Sequence, residues 1–357
     1  MPGVLIEYAA LVSFGRELFT GLNLPSHAAE LLAVSLSTSN LRGVDSHGFQ
    51  LVPLYAAQIK AGDVNIHCKG SVAHEAGACM VYDGENSIGQ VVAYECCDHA
   101  IRIAKENGVA VVAAHDSNHF GAAAFWAQRI SASGLIGIVM CNASPLVAPW
   151  QGREPRLGTN PICVSIPGPN QWLLDMATTA VAMGKIIDAQ ISGKATIPLG
   201  WAMDRKGVPT TSTLAGLAGL PMPAGGYKGY GLAMMIEILA GVLSGGALST
   251  EVGDLRTRRD RMRISQLYMA LDVTRFLPLG EFIERVGQLV QIVKSSATAE
   301  GYDEVLVAGE PEWRTEAERR RSGIPIGELL WETLKQIASC LEVRLPNVQR
   351  MPHDQPS

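Results

Sequence analysis

Between Met80 and Cys141 short apolar runs alternate with longer helical patterns, and that alternation limits the chain to an α/β architecture. Met80-Val81-Tyr82 before Asp83-Gly84 reads as a short strand running into a turn. Val91 to Glu106 reads as a helix ended by Asn107-Gly108, and Val109 to Ala114 as a buried strand. Gly121 to Ser131 is the next helix and Leu135 to Cys141 the next apolar strand. Upstream, the spacing predicts helices over Tyr8 to Leu22, over a segment capped by Ser26 that reaches Ser39, and over Phe49 to Lys60, stopped at Ala61-Gly62-Asp63. Downstream, Gln266 to Val273 reads as a strand, followed by helices at Leu279 to Lys294, Glu312 to Ser322 and Ile326 to Ala338.

The middle differs in texture. From Asn142 to Gly231 the chain is rich in loops: Asn142-Ala143-Ser144-Pro145, Gly158-Thr159-Asn160-Pro161, Asp175-Met176-Ala177-Thr178-Thr179 and Gly225-Gly226-Tyr227-Lys228-Gly229-Tyr230-Gly231. Small and hydroxyl-bearing residues let a backbone approach a phosphate closely, so a nucleotide-type ligand is expected here. The most apolar stretch, Leu232 to Leu243, is interrupted by Glu237 and ended by Ser244-Gly245-Gly246. It falls short of the roughly 20 residues a membrane span needs and is expected to be a buried helix. A net charge of -5 offers no basic face for nucleic acid. An anionic ligand must then be held by a few local donors. The seven cysteines are scattered without a C-x-x-C pair, and no basic-then-apolar leader opens the chain, so reduced cysteines and a cytoplasmic protein are expected.

Two polar clusters carry the chemistry. His115-Asp116-Ser117-Asn118-His119-Phe120-Gly121 lies between a predicted strand and a predicted helix, where side chains open into a crevice. Asp45-Ser46-His47-Gly48 repeats the arrangement of a histidine beside a serine and a glycine. Histidine titrates near neutrality, so the pair suggests proton transfer. An alternative is a metal-dependent hydrolase or lyase with His47, His115, His119 and Asp45 as ligands, since His115 and His119 are spaced i, i+4. His27, His67, His74 and His99 are read as structural. The sequence contains no G-x-G-x-x-G after a strand, no phosphate-loop motif, no H-E-x-x-H and no G-x-S-x-G.

These clusters belong to a longer series. Leu41-Arg42-Gly43-Val44-Asp45-Ser46-His47-Gly48, Ser117-Asn118-His119-Phe120-Gly121, Gly158-Thr159-Asn160-Pro161, Asp175-Met176-Ala177-Thr178-Thr179, Gly226-Tyr227-Lys228-Gly229-Tyr230-Gly231 and Gly309-Glu310-Pro311-Glu312 resemble, in order, the motifs of the malate/L-lactate dehydrogenase family of the second type. That family also holds ureidoglycolate, sulfolactate and diketogulonate dehydrogenases and cyclic ketimine reductases. The resemblance implies an NAD(P)-dependent oxidoreductase acting as a homodimer on a small anionic substrate, a 2-hydroxy or 2-oxo acid or a cyclic ketimine carboxylate. It also implies a non-Rossmann NAD(P)-binding domain, expected near residues 126–264. A discontinuous α/β domain is expected from residues 1–125 with 265–357. His47 and His119 fall on the positions that supply the acid-base residue. His47 is favoured as proton donor and acceptor with His119 orienting the substrate, and the roles can be exchanged. Ser144, Asp175, Met176, Ala177, Lys228, Gly309, Glu310 and Pro311 match positions that touch NAD or NADP, and Ser46, Asn118 and Arg42 are the expected substrate contacts.

One position departs from the pattern. Family members usually carry arginine four residues after the first histidine, and here Leu51 stands there. Leucine cannot form a two-pronged pair with a carboxylate. Arg42 or Arg153 must replace it, or the substrate is not a simple 2-oxo acid, or the chain binds dinucleotide without turnover. If Leu51 faces the substrate, Leu51→Arg is expected to improve binding of short 2-oxo acids. The Arg256 to Arg263 run reads as a solvated loop, with a 2′-phosphate contact as the alternative.

Overall fold

The computed structural model describes residues 3–169, 172–255 and 261–351. The chain opens with β1 (Val4–Ile6), α1 (Tyr8–Gly21), α2 (Ser26–Leu41) and α3 (Val52–Ala61). A hairpin of β2 (Ser71–Ala76) and β3 (Cys79–Asp83) follows, then α4 (Gly89–Asn107), β4 (Val109–Ser117), α5 (Ala123–Ser131) and β5 (Leu135–Cys141). The middle contributes β6 (Ile162–Ser165), β7 (Leu173–Met176), α6 (Met183–Ile191), three two-residue strands numbered β8 to β10 between Ala202 and Pro221, α7 (Thr213–Ala218) and α8 (Tyr227–Ile236). Last come β11 (Ile264–Asp272), α9 (Leu279–Lys294), α10 (Glu310–Ser322), β12 (Ile324–Ile326), α11 (Glu328–Cys340) and β13 (Gln349–Arg350).

A seven-stranded sheet in the order β2-β3-β4-β11-β5-β6-β7 organises the molecule. Only β3 and β4 pair in parallel, joined by α4 as the crossover, and every other neighbouring pair is antiparallel. Such a sheet is not the parallel, doubly wound kind, in line with the missing glycine fingerprint. The period of two decides the layers. Val112, Ala114, Val139, Tyr268 and Ala270 face the main core with α4 and α5, while the intervening Ala113, Met140 and Leu267 pack against Ile236 and Ala240 on the opposite side. The expected division at residue 126 falls between β4 and β5, two strands of this one sheet separated by β11. A small separate core of Val181, Ile186, Ala189, Ile197 and Ala202 forms under α6 and α7.

Several local expectations need correction. Ser26 is the first helical residue rather than the cap, which is Pro25 with no side-chain bond. The expected buried helix at Leu232 to Leu243 is α8 continued by a π-helical turn, Glu237–Val242. Ala233, Ile236, Glu237 and Ala240 are buried, Ile236 and Ala240 against the sheet, but Met234, Met235, Ile238, Val242 and Leu243 are exposed. The apolar run serves two surfaces. Gly62, at φ +74°, ends α3 in the left-handed conformation that its missing Cβ tolerates. No helix among the described residues is long and apolar enough to cross a membrane. The Arg256 to Asp260 part of the basic run lies outside the described residues. The described Arg263 Nε lies 3.2 Å from Asp116 Oδ1.

Candidate active site

The first histidine is set by a braced turn. After α2 ends, Asp45 to His47 form one 3₁₀ turn, and the Asn40 side chain stitches it from behind. Asn40 Nδ2 donates to Asp45 Oδ1 at 2.5 Å while its Oδ1 accepts from the Phe49 backbone at 2.7 Å. A Cβ on Gly48 would lie 2.2 Å from that carboxamide oxygen, so only glycine fits there. Arg319 of α10 grips both Asp45 oxygens, at 2.7 and 2.9 Å. Within this frame Ser46 Oγ meets His47 Nδ1 at 2.9 Å, and burial lowers the His47 pKa below its ordinary value.

The second histidine stands between β4 and α5, as its strand-to-helix position predicted. Asn118 Nδ2 donates to the Asn86 and Ser87 carbonyls at 3.1 and 2.7 Å, fixing the loop, while Gln266 Nε2 holds the Asn118 carbonyl at 3.1 Å. The Asn118 Nδ2 thus serves the scaffold, while its Oδ1 is buried without a partner among the described residues. His119 Nδ1 meets Tyr55 Oη at 2.6 Å, and Gln90 Nε2 donates to that same phenol oxygen at 3.1 Å. The imidazoles of His47 and His119 stack, with centroids 5.7 Å apart.

The metal-centre alternative does not assemble. Asp45 is engaged by Arg319, and His115 turns to Asp116 (3.1 Å) and Asp83 (3.9 Å) instead of joining the stacked pair. Among the described residues, the group with metal-ligand spacing is Asp83, His115 and Asp116, which contains neither His47 nor His119. Arg42 and Leu51 both lie in the interior. Arg42 is buried against α5, where Nη1 donates to Gln128 Oε1 while Nε and Nη2 have no partner among the described residues. Leu51 is 7% exposed and belongs to the main core.

The residues expected to touch the dinucleotide lie on several loops, each held by its own bonds. Asp175 Oδ2 accepts from the Ala124 N–H at 3.0 Å, placing the carboxylate at the start of α5, five residues past His119. Neighbouring protein pushes the pKa of this carboxylate up to about 6, against the opposing effects of the Ala124 bond and Arg42, although the residue keeps a solvent-exposed side. Met176 and Ala177 continue from it. The Leu173 N–H donates to the Ala308 carbonyl at 3.1 Å, docking the Gly309-Glu310-Pro311 loop on β7. Gly309 caps α10 at φ +90°, and Glu310 is held by Lys294 at 2.6 Å. Across the site, Ala224 N donates to the Thr178 carbonyl, bringing the Lys228 loop beside the Asp175 strand. Ser144 Oγ donates to the Gly253 carbonyl at 2.7 Å.

Glu237 joins these loops. Its carboxylate, 5% exposed, accepts from Asn160 Nδ2 at 2.8 Å and from the Ser249 N–H at 2.9 Å, and Asn142 Nδ2 approaches at 3.4 Å. The residues fit a dinucleotide. The helix α8 begins at Gly226 and Tyr227 with no side-chain cap and no acid in its first turn, so its N–H groups and Lys228 present one positive end to an anion. Thr179 Oγ1, buried without a partner among the described residues, lies on the same strip of backbone. Tyr55, Gln90, Arg319 and the bracing role of Glu237 were not foreseen from sequence. An apolar run interrupted by one carboxylate was the single visible signal.

A family model described as malate/L-lactate dehydrogenase matches residues 6–335. The chain is 39% identical to malate dehydrogenase of Pyrococcus horikoshii over 337 residues, covering 92% of this chain and 93% of that one. It is 36% identical to the ureidoglycolate dehydrogenase (NAD(+)) of Escherichia coli over 315 residues, covering 86% and 88%. The solved sulfolactate dehydrogenase of Methanocaldococcus jannaschii superposes with a TM-score of 0.90 at 34% identity, covering 96% and 98%.

Proposed function

The chain belongs to the malate/L-lactate dehydrogenase family and is an oxidoreductase acting on CH–OH groups, and we propose that NAD or NADP is its redox partner. The substrate is a small 2-hydroxy or 2-oxo acid, or a cyclic ketimine carboxylate. The observation that carries this reading is the stacked His47–His119 pair, with His119 five residues ahead of the Ala124 N–H that donates to Asp175. A bound nicotinamide would accept the electron pair of the substrate C–H bond as the carbonyl forms. The chain's own task is then the hydroxyl proton. An imidazole kept neutral by burial, as at His47, is ready to take it and to return it in the reverse direction. Lys228 and the open end of α8 would hold the dinucleotide phosphates, and the loop at Gly309 to Pro311 would close beside them.

Fluorescence titration with NADH and NADPH, followed by turnover of a panel of 2-oxo acids and cyclic imines, tests the reading. Binding of neither dinucleotide would end it. Binding without turnover of any member would identify a silent dinucleotide binder.

We also infer a homodimer. Met234, Met235, Ile238, Val242 and Leu243 expose a continuous apolar strip on α8 and the π-helical turn, next to the cofactor-binding loops. Such a strip in water favours a second copy of the chain. A monomeric mass by light scattering, with Ile238→Lys behaving like wild type, would contradict this.

A further inference from the structure

Three groups around His119 Nδ1 determine which ring nitrogen carries hydrogen. The Gly121 backbone N–H reaches Nδ1 at 3.3 Å and can only donate. Tyr55 Oη lies on the same nitrogen at 2.6 Å. Behind the phenol, Gln90 Nε2 donates to that oxygen at 3.1 Å. Gln90 takes up an acceptor site of Oη, and with the Gly121 N–H already aimed at Nδ1 the phenol hydrogen is the partner that completes this nitrogen. Burial holds the Tyr55 phenol well above its ordinary pKa, so the hydrogen stays on the oxygen. Two donors meeting at Nδ1 require a lone pair there.

We propose that Tyr55, oriented by Gln90, is a positioning residue that holds His119 as the neutral tautomer with hydrogen on Nε2. In that state His119 is a hydrogen-bond donor to the substrate and leaves proton exchange to His47. The second half of this inference rests on the oxidoreductase reading above. The contrast with His47 supports the division. Its Nδ1 partner is the Ser46 hydroxyl, which can donate or accept and therefore tolerates both protonation states of the ring. A proton added to His119 Nδ1 would face the Gly121 N–H, a donor with no freedom to turn. The indispensable hydrogen bond at one imidazole nitrogen thus sets the job of the other.

Isotope-labelled histidine and long-range proton–nitrogen spectra of the enzyme without ligands read the tautomer directly. The His119 signal is identified by its loss in His119→Gln. The expected result is the Nε2–H form in the wild type. In Tyr55→Phe we expect a mixture of tautomers and a fall in kcat of about ten-fold or more, with NADH affinity within about two-fold of wild type. An Nδ1–H signal in the wild type overturns the inference, as does a Tyr55→Phe variant with unaltered tautomer and kcat. Should Tyr55→Phe not fold, the wild-type spectrum alone decides. Failure of the wild type to bind either dinucleotide would strike the oxidoreductase reading and leave the tautomer result standing.

Discussion

The His47 and His119 rings lie 5.7 Å apart between centroids and 21° from parallel. Two imidazolium charges at such a separation repel by roughly 3 kcal/mol at an effective dielectric near 20, so a positive charge on both rings at once is disfavoured. The two rings therefore act as a unit with divided roles. We expect His47→Ala and His119→Ala each to lose on the order of 10²-fold or more in kcat while NADH binding is largely kept. Steady-state kinetics beside a fluorescence titration measure both. Full turnover in both variants would remove the histidines from the mechanism.

Acid should act on turnover and stability through the same group. Burial lowers the His47 pKa, so the neutral base persists below the ordinary value of 6.5 and is lost as pH falls further. Oxidation kcat/KM is expected to decline with a midpoint under 6.5. The linked stability has the same sign. A histidine with a lowered folded-state pKa contributes stability that is complete above its unfolded value and disappears as the pH drops through the folded one. Urea unfolding at about pH 7.5 and about pH 5 should show a larger loss for the wild type than for His47→Gln. Equal losses would sink the assignment.

Lys228→Ala should raise the Kd for NADH about ten-fold or more, the usual worth of one charge-assisted hydrogen bond to an anion. The lysine is exposed in the first turn of α8, so the circular dichroism spectrum and Tm should hardly change. Unchanged affinity for both NADH and NADPH would displace the phosphates from this helix end.

Leu51→Arg now carries a different expectation from the one its sequence position suggested. The side chain is 7% exposed inside the main core, so a guanidinium there loses its water among apolar neighbours. We expect a depressed Tm and no gain in KM for pyruvate or oxaloacetate. A ten-fold lower KM at unchanged Tm would show that the position opens to the substrate after all.

What the sequence revealed followed burial. The strands at Val109 and Leu135 were visible because their residues are almost all apolar, whereas β2 was missed because all six of its residues are exposed and leave no pattern. The stretch from Asn142 to Gly231 read as loops since its strands and helices are short and wrap a core of only a few side chains. Composition marked Leu232 to Leu243 as apolar but could not tell which half of the surface meets the sheet. At the site, His47 and His119 stood out beside their glycines. Tyr55 and Gln90 sit within helices on faces that look ordinary, and Arg319 is 274 residues from the Asp45 it grips. Pairings at that distance leave no local trace.

The position of β11 governs how this chain can be assembled. It is antiparallel to β4 on one side and to β5 on the other, with Tyr268 opposite Val112 and Val139 at once. Until residues near 264 emerge from synthesis, β4 and β5 each lack the partner that pairs this edge in the finished sheet. The sheet therefore closes late, around contacts spanning well over a hundred residues, which implies slow folding and a nascent chain that benefits from chaperone cover. A chain cut before Ile264 would aggregate rather than yield a half-molecule.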